Sequence, residues 1–388
     1  MKSVAIIPLR KGSKGIPGKN KKKILGRPLY QWCLGEAILS DLDEIYVFTD
    51  DNEIIENIKQ EYTWTSKVKT LNRSTESALD TASTEEAMLE FSRKINNEFD
   101  VICLLQATSP LTSKEDINKT LAKVTQENYD SALTVVNTTR FIWNKKGESL
   151  NYDFMNRPRR QDFDGLQIEN GAVYVSTKKQ FLTSKNRLGG KIAIVEMPED
   201  TLIEIDETSD FVIIENLIKN RLQTYKKCPS RIELLVLDVD GVFTDGTVNV
   251  SANGELSKSF SLRDGMGLEL VRNSGVEVVV MTSENSDIVE KRMGKLGISN
   301  LFMGVKDKFS RLNNFLIEKN LKRNSVAYIG DDINDLVNLC SVSWGFCPNN
   351  AVPEVKLNSD FILNNNGGDM AIREAVEFII KYNQRFIK

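Results

Sequence analysis

Histidine is absent from the 388-residue chain. That absence removes Ser-His-Asp and Cys-His nucleophile systems, HExxH zinc sites and every imidazole general base. Acid–base work then falls to Asp, Glu, Lys or Tyr, and a metal ion held by such a chain is hard and oxygen-bound. Cysteine is scarce. Cys33, Cys103, Cys228, Cys340 and Cys347 form an odd set with no CxxC pair, the usage expected of reduced packing thiols in a cytosolic protein. No apolar run approaches a membrane span, and the apolar run in Met1–Leu9 is too short for a signal-peptide core. The expectation is a cytoplasmic protein with no membrane partner. An excess of one charge is missing too: 51 basic and 54 acidic residues leave −3, which argues against non-specific nucleic-acid binding.

What is present is the balance of a globular enzyme, 40% hydrophobic and 27% charged. The length suits two or three domains. Short apolar runs alternate with helix-like segments, the pattern of α/β domains with largely parallel sheets. In the first half, Val4–Leu9, Ile45–Phe48, Val101–Leu105, Ala132–Val136 and Ala172–Val175 read as strands. Leu29–Leu39, Glu53–Glu61, Thr84–Ile95 and Asp116–Gln126 read as amphipathic helices between them. A polar stretch ending Lys226-Lys227-Cys228-Pro229-Ser230 reads as a linker. A second βα series follows, with strands at Leu234–Leu237, Val276–Met281 and Val326–Ile329. The expected domains are therefore 1–227 and 228–388.

The first strand empties into Pro8-Leu9-Arg10-Lys11-Gly12-Ser13-Lys14-Gly15-Ile16-Pro17-Gly18-Lys19-Asn20. Three glycines spaced by three let the backbone N–H groups curl around an anion, and four basic residues surround the curl. A polyphosphate fits; an ordinary solvated turn is the alternative. The loop is neither GxxxxGK[ST] nor GxGxxG. Further along come Arg73, Asp80-Thr81, Gln106-Ala107-Thr108-Ser109-Pro110-Leu111, Asn170-Gly171-Ala172-Val173-Tyr174 and Ile203-Glu204-Ile205-Asp206-Glu207. Glu204 and Asp206 are two residues apart, which on a strand puts both carboxylates on one face, able to hold Mg²⁺ or Mn²⁺. A solvated acidic turn is the alternative there.

Taken in order, these motifs from Ile6 to Asp210 resemble the CMP-acylneuraminate synthetases, the sialic acid cytidylyltransferases. The resemblance implies a nucleotide-diphospho-sugar transferase-like mixed sheet. It also implies transfer of CMP from CTP to the anomeric hydroxyl of a nonulosonic acid, with release of pyrophosphate. Arg10, Ser13, Lys19 and Asn20 would hold the triphosphate and base, with Arg10 and Lys19 in catalytic roles. Arg73 and Gln106 would lie on the nucleotide side and Asp80-Thr81 near the ribose. Arg160, Gln161 and Asn170 to Tyr174 would face the acidic sugar. Such chemistry is mostly positioning and charge neutralisation and needs no imidazole. In one departure, Ile168-Glu169 stand where the family often has an Arg.

The second half opens Leu234-Leu235-Val236-Leu237-Asp238-Val239-Asp240-Gly241-Val242. A buried strand ending in two carboxylates is costly unless they bind something, although a lone DxD also suits an acidic turn. Thr282-Ser283, Lys308 and Gly330-Asp331-Asp332 follow, with Asp335 beyond. That order resembles the haloacid dehalogenase (HAD) phosphatases. Asp238–Phe260, Arg263-Asp264-Gly265-Met266-Gly267 and Asn366-Gly367-Gly368 resemble, more narrowly, the 3-deoxy-manno-octulosonate 8-phosphate phosphatases. The resemblance implies a HAD-like Rossmannoid parallel sheet with Asp238 as nucleophile and Asp240 as acid and base. Thr282 and Lys308 would meet the phosphate, and Asp238, the Asp240 backbone and Asp331 would hold Mg²⁺. The family's Thr-Gly-Arg is here Thr282-Ser283-Glu284.

The expectation is thus a two-domain α/β enzyme with Mg²⁺ or Mn²⁺ in both domains and CTP as substrate. Its partner is a nonulosonic acid or its phosphate, and it assembles as a homodimer or homotetramer. Legionaminate, pseudaminate, KDN or deoxyoctulosonate are alternative acceptors. An assembly module without chemistry is the alternative for the second half.

Overall fold

The computed structural model describes residues 1–12, 15–227, 230–252 and 254–386. Contacts divide the chain into two compact units, Met1–Lys22 with Pro28–Ile214, and Lys23–Arg27 with Glu215–Lys388. The division falls inside the helix Thr208–Gln223, ahead of the break expected at 227/228, and a five-residue segment from the start of the chain counts with the second unit. Cys228, at the expected break, lies outside the described residues.

The first unit is a seven-stranded mixed sheet. Its spatial order is Val68–Asn72, Glu44–Thr49, Ser3–Leu9, Val101–Leu105, Leu166–Thr177, Ser131–Thr138, Ile192–Met197. Leu166–Thr177 runs antiparallel to both neighbours, and every other pairing is parallel. Val4, Ala5, Ile6 and Ile7 are fully buried on both faces, which is why this strand reads as a continuous apolar run rather than an alternation. Helices Thr84–Lys94 and Lys114–Thr125 each begin with a capping box, Ser83 with Glu86 and Ser113 with Asp116, and their apolar faces cover the sheet. In this sheet two strands escaped the sequence reading, Val68–Asn72 and Ile192–Met197. Both are edge strands of short or alternating apolar content. The segment Ile203–Asp206 is not a strand. It is irregular backbone between the 3₁₀ turn Glu199–Leu202 and the helix at Thr208, so period-2 geometry does not apply to Glu204 and Asp206.

The second unit carries a six-stranded, all-parallel sheet. The order is Asn300–Phe302, Glu277–Met281, Leu234–Leu237, Val326–Ile329, Trp344–Cys347, Phe361–Ile362. From the fully buried Leu234–Leu237 the chain first builds one side, then returns to build the other. That reversal leaves a crevice beyond the carboxyl ends of the central strands, where ligands of open α/β sheets bind. A small hairpin, Asn249–Ser251 with Gly254–Ser257, follows the first strand.

Cys33, Cys103, Cys340 and Cys347 are buried free thiols, and burial pushes Cys33 up to about 12, far from a reactive thiolate. Among the described residues no helix is long and apolar enough to cross a membrane.

Candidate active sites

At the carboxyl ends of Ser3–Leu9 and Val101–Leu105, a cleft of about 320 Å³ is lined by Arg10, Lys19, Asn20, Arg73, Asp80, Gln106 and Thr108, among others. Three of these, Arg10, Lys19 and Asn20, come from the segment that follows the first strand. Asn20 Nδ2 donates to the Arg10 carbonyl at 3.1 Å, closing the loop on itself. Lys19 Nζ donates to the Ile205 carbonyl at 2.5 Å and pairs with Asp206 at 3.4 Å. Arg10 Nη1 meets Asp80 Oδ1 at 2.5 Å. Arg73 donates to Ser77 Oγ at 3.3 Å and to its carbonyl, and Glu90 in turn accepts from Ser74 and Ser77. Burial lowers the Arg73 pKa from its ordinary value without approaching loss of charge. Ser13 lies outside the described residues.

Six of the residues expected at the nucleotide therefore share one cleft, and Thr81 is exposed between two residues that line it. The residues expected at the sugar are more dispersed. Arg160 and Gln161 are exposed in a 3₁₀ turn. The Asn170 amide is spent inside the fold, accepting from Thr134 Oγ1 at 2.8 Å and donating to Thr201 Oγ1 at 3.2 Å. The Tyr174 hydroxyl donates to Glu169, and Arg187 lies over its ring at 5.0 Å; burial first, then that carboxylate, pushes its pKa up. Glu204 is half-buried beside Thr108 Oγ1 at 3.4 Å, and burial, followed by the charge of Asp206, raises its pKa. Asp206 is exposed. Glu204 is thus shielded and Asp206 open, each beside a residue that lines the cleft.

In the second unit, the strand ends bring carboxylates together. Asp238 follows Leu234–Leu237 and its amide donates to the Ile329 carbonyl at 3.0 Å. Lys308 Nζ sits between Asp238 Oδ1 and Asp335 Oδ1, 2.8 Å from each. Tyr328 Oη donates to the same Asp335 oxygen at 2.6 Å. Burial alone would lower the Lys308 pKa, but the two carboxylates outweigh it and keep the ammonium charged. Burial raises Asp238, and it raises Asp331 to about 7 with Asp335 adding to the effect.

Asp238, Asp331 and Asp335 can each direct an oxygen to a common point. With all three carboxylates ionised against one ammonium, two negative charges would stand uncompensated, the excess that a divalent cation would cancel. With no cation bound, their repulsion adds to burial in raising the Asp238 and Asp331 pKa values. Asp331 Oδ1 is buried without a hydrogen-bond partner, as expected of an oxygen kept for a cation. An all-carboxylate set suits Mg²⁺. Gly241, at φ 79°, faces this oxygen pair so closely that a Cβ would lie 1.9 Å from Asp331 Oδ2.

The Asp240 carboxylate, expected as acid and base, is not in this cluster. Lys258 Nζ holds it at 2.8 and 3.1 Å, and Asp335 takes the third place. Sequence reasoning gave Asp335 no role and passed over Lys258 and Tyr328; the continuous apolar run Val326–Ile329 marks Tyr328 only as core. Thr282 is buried at the end of Glu277–Met281, its Oγ1 accepting from the Glu284 amide at 3.3 Å, and Glu284 itself is exposed. The Arg263-Asp264-Gly265 motif is structural, since buried Asp264 accepts from the Met370 and Arg373 amides at 3.2 and 2.9 Å. Gly367 closes over the Gly241 carbonyl, 1.8 Å from where a Cβ would sit.

Comparison with known proteins follows this division. Residues 4–227 match the cytidylyltransferase family model. This chain belongs to the cytidylyltransferase family. N-acylneuraminate cytidylyltransferase B of Danio rerio is 31% identical over 98% of this chain and 91% of its own length. N-acylneuraminate cytidylyltransferase A of the same fish is 33% identical over 97% and 88%. In this cytidylyltransferase, residues 268–374 also match a haloacid dehalogenase-like hydrolase model. The 3-deoxy-D-manno-octulosonate 8-phosphate phosphatase of Haemophilus influenzae is 34% identical over 39% of this chain and 83% of its own length. The hydrolase match begins after Asp238 and Asp240, which reach the same crevice through the central strand.

Proposed function

We propose that residues 1–227 form a cytidylyltransferase domain that transfers CMP from CTP to the anomeric hydroxyl of an N-acetylneuraminate-type nine-carbon sugar acid, releasing pyrophosphate. The observation that carries this is the cleft at the strand ends that gathers Arg10, Lys19, Arg73 and Gln106. It lies in a chain alignable nearly end to end with N-acylneuraminate cytidylyltransferases. The sugar hydroxyl attacks the α-phosphorus, giving up its proton to solvent, while the α–β bridging bond breaks and pyrophosphate leaves. Arg10 and Lys19, with Ser13 and Asn20 on the same loop, neutralise the charge that builds on the leaving oxygens. Asp80-Thr81 orient the ribose. Arg160, Gln161, Asn170 and Tyr174 belong to the acceptor side, with Asn170 acting through the backbone it braces. Glu204 and Asp206 would hold Mg²⁺ or Mn²⁺, which screens the triphosphate.

Residues 228–388 form, in the same proposal, a phosphatase for a sugar-acid phosphate. Asp238 attacks phosphorus and the sugar alcohol leaves with a proton from Asp240, giving an aspartyl phosphate. Water, deprotonated by Asp240, then attacks that phosphorus and returns Asp238 with inorganic phosphate. Lys308 and Thr282 hold the phosphate oxygens, and Lys308 also keeps Asp238 oriented. Mg²⁺ at Asp238 and Asp331, with Asp240 contributing through its backbone, would supply charge neutralisation.

Legionaminate, pseudaminate, KDN or deoxyoctulosonate remain the competing acceptors. A second reading of this half, an assembly module for a homodimer or homotetramer, draws its support from Glu284, an anion beside a phosphate site. A CTP-dependent pyrophosphate-release screen over free and phosphorylated nonulosonic acids tests both halves. Turnover of free acids, with inorganic phosphate from the phosphorylated ones, is expected. Pyrophosphate without inorganic phosphate selects the assembly module.

A further inference from the structure

The segment Lys23–Arg27 packs with the second unit. It turns through Leu25 and Gly26, both at positive φ, 48° and 78°. A Cβ on Gly26 would lie 1.8 Å from the Ile333 carbonyl oxygen. The strap therefore presses its bare backbone onto the turn between Asp331 and Asp335.

Arg27 follows. It is 5% exposed and meets Asp307, 3% exposed, fork to fork: Nε to Oδ1 at 3.0 Å and Nη2 to Oδ2 at 2.8 Å. Nη2 also donates to Ser310 Oγ at 2.6 Å, and the guanidinium lies over the Phe309 ring at 5.2 Å. Asp307 is the N-cap of the helix Lys308–Glu318, accepting from the Ser310 amide at 3.1 Å. The first residue of that helix is Lys308.

We propose that Arg27 is a positioning residue of the phosphatase centre, and that the strap fixes both loops that deliver its charges. Arg27 neutralises a buried carboxylate that would otherwise turn outward, and so keeps Asp307 as the cap that sets the Lys308 stem. Only a planar guanidinium reaches both carboxylate oxygens and Ser310 at once. Gly26 sets the Ile333 turn and with it the spacing of Asp331 and Asp335. The catalytic consequence rests on the phosphatase reading; the positioning itself does not.

Full-length parent, Arg27→Met, Arg27→Lys and Gly26→Ala proteins test this with two readouts. Amide hydrogen exchange reads positions 308–311 and 331–336 against the remote helix Ala371–Asn383. In Arg27→Met, exchange at 308–311 is expected to rise about tenfold or more while 371–383 stays as in the parent, with Arg27→Lys in between. Mg²⁺-dependent hydrolysis of p-nitrophenyl phosphate is expected to lose about tenfold in kcat in Arg27→Met. Gly26→Ala keeps the Arg27–Asp307 pair and is expected to raise the Mg²⁺ concentration for half-maximal rate about threefold or more. Parent-like exchange at 308–311 in Arg27→Met overturns the proposal, and so does an equal rise in 371–383 in both Arg27 variants. A parent that hydrolyses no phosphate ester removes the phosphatase reading, and the exchange pattern alone then decides the positioning.

Discussion

At the mouth of the first sheet the working cations are long side chains on loops. Arg10 and Asp80 are each about one-third exposed, and Lys19 leans on a carbonyl and on an exposed Asp206. At the end of the second sheet, Lys308 and Asp335 are wholly buried and Asp238 nearly so. Exposed pairs of the first kind contribute roughly 0–1 kcal/mol to stability, so parting them costs little, and on the proposed reading they part to take up a large, flexible triphosphate. Buried charges of the second kind are expensive to strand, so their geometry is fixed before any substrate arrives. A loop-built site adapts; a strand-end site is prepared in advance. Substitutions at the first should therefore cost rate, and at the second both rate and local order.

The largest effect that sharpens this contrast is Asp238→Asn. An amide cannot attack phosphorus, so hydrolysis of sugar-acid phosphates should fall by at least about a thousandfold. Pyrophosphate release from CTP should be unchanged in the same preparation. Exhaustive EDTA treatment comes next. Both activities should stop and return on adding Mg²⁺ or Mn²⁺, and an activity that persists removes the carboxylates assigned to its metal. Arg10→Ala should lower kcat/KM for CTP by on the order of 2–4 kcal/mol of transition-state stabilisation, with the unfolding midpoint nearly unmoved. A large drop in that midpoint would blur the distinction between the two regions.

A fourth test uses pH. Burial alone would raise the Glu90 pKa, but Ser77, Lys94 and Ser74 outweigh it and hold it at about 2 against an ordinary 4.5. A depressed carboxylate contributes stability that is fully present above its unfolded pKa and lost as pH falls through the folded one. Glu90→Gln should therefore cost on the order of 1–3 kcal/mol at neutral pH, with the difference from the parent shrinking between pH 4.5 and 2. Equal destabilisation at pH 7 and pH 2 would contradict it. The smallest effect is Glu284→Arg. Removing an exposed anion near a phosphate should raise turnover of anionic sugar phosphates a few-fold at low salt, an effect that fades at high ionic strength.

Much of this architecture was legible in the chain. Val101–Leu105 and Leu234–Leu237 are short apolar runs bounded by polar turns, and both are strands over those very residues. The ordered motifs placed Arg10, Lys19, Arg73 and Gln106 in one cleft and Asp238, Lys308 and Asp331 in one crevice. Pairings between distant side chains were not legible. Nothing local in the sequence ties Lys258 to Asp240 or Arg27 to Asp307, because tertiary packing alone brings them together across 18 and 280 positions. Glu204 and Asp206 misled through a sound rule applied to the wrong backbone: period 2 holds only on a strand, and a 3₁₀ turn precedes them.

On the proposed reading, one chain houses two separate phosphorus chemistries. The most direct measurement is a ³¹P NMR time course of the full-length protein with CTP, Mg²⁺ and a phosphorylated nonulosonic acid. The account predicts that the phosphomonoester signal converts to inorganic phosphate while the CTP signals give way to pyrophosphate and a CMP-sugar phosphodiester. A phosphomonoester signal that stays constant while CTP is consumed, or CTP that stays constant throughout, would contradict it.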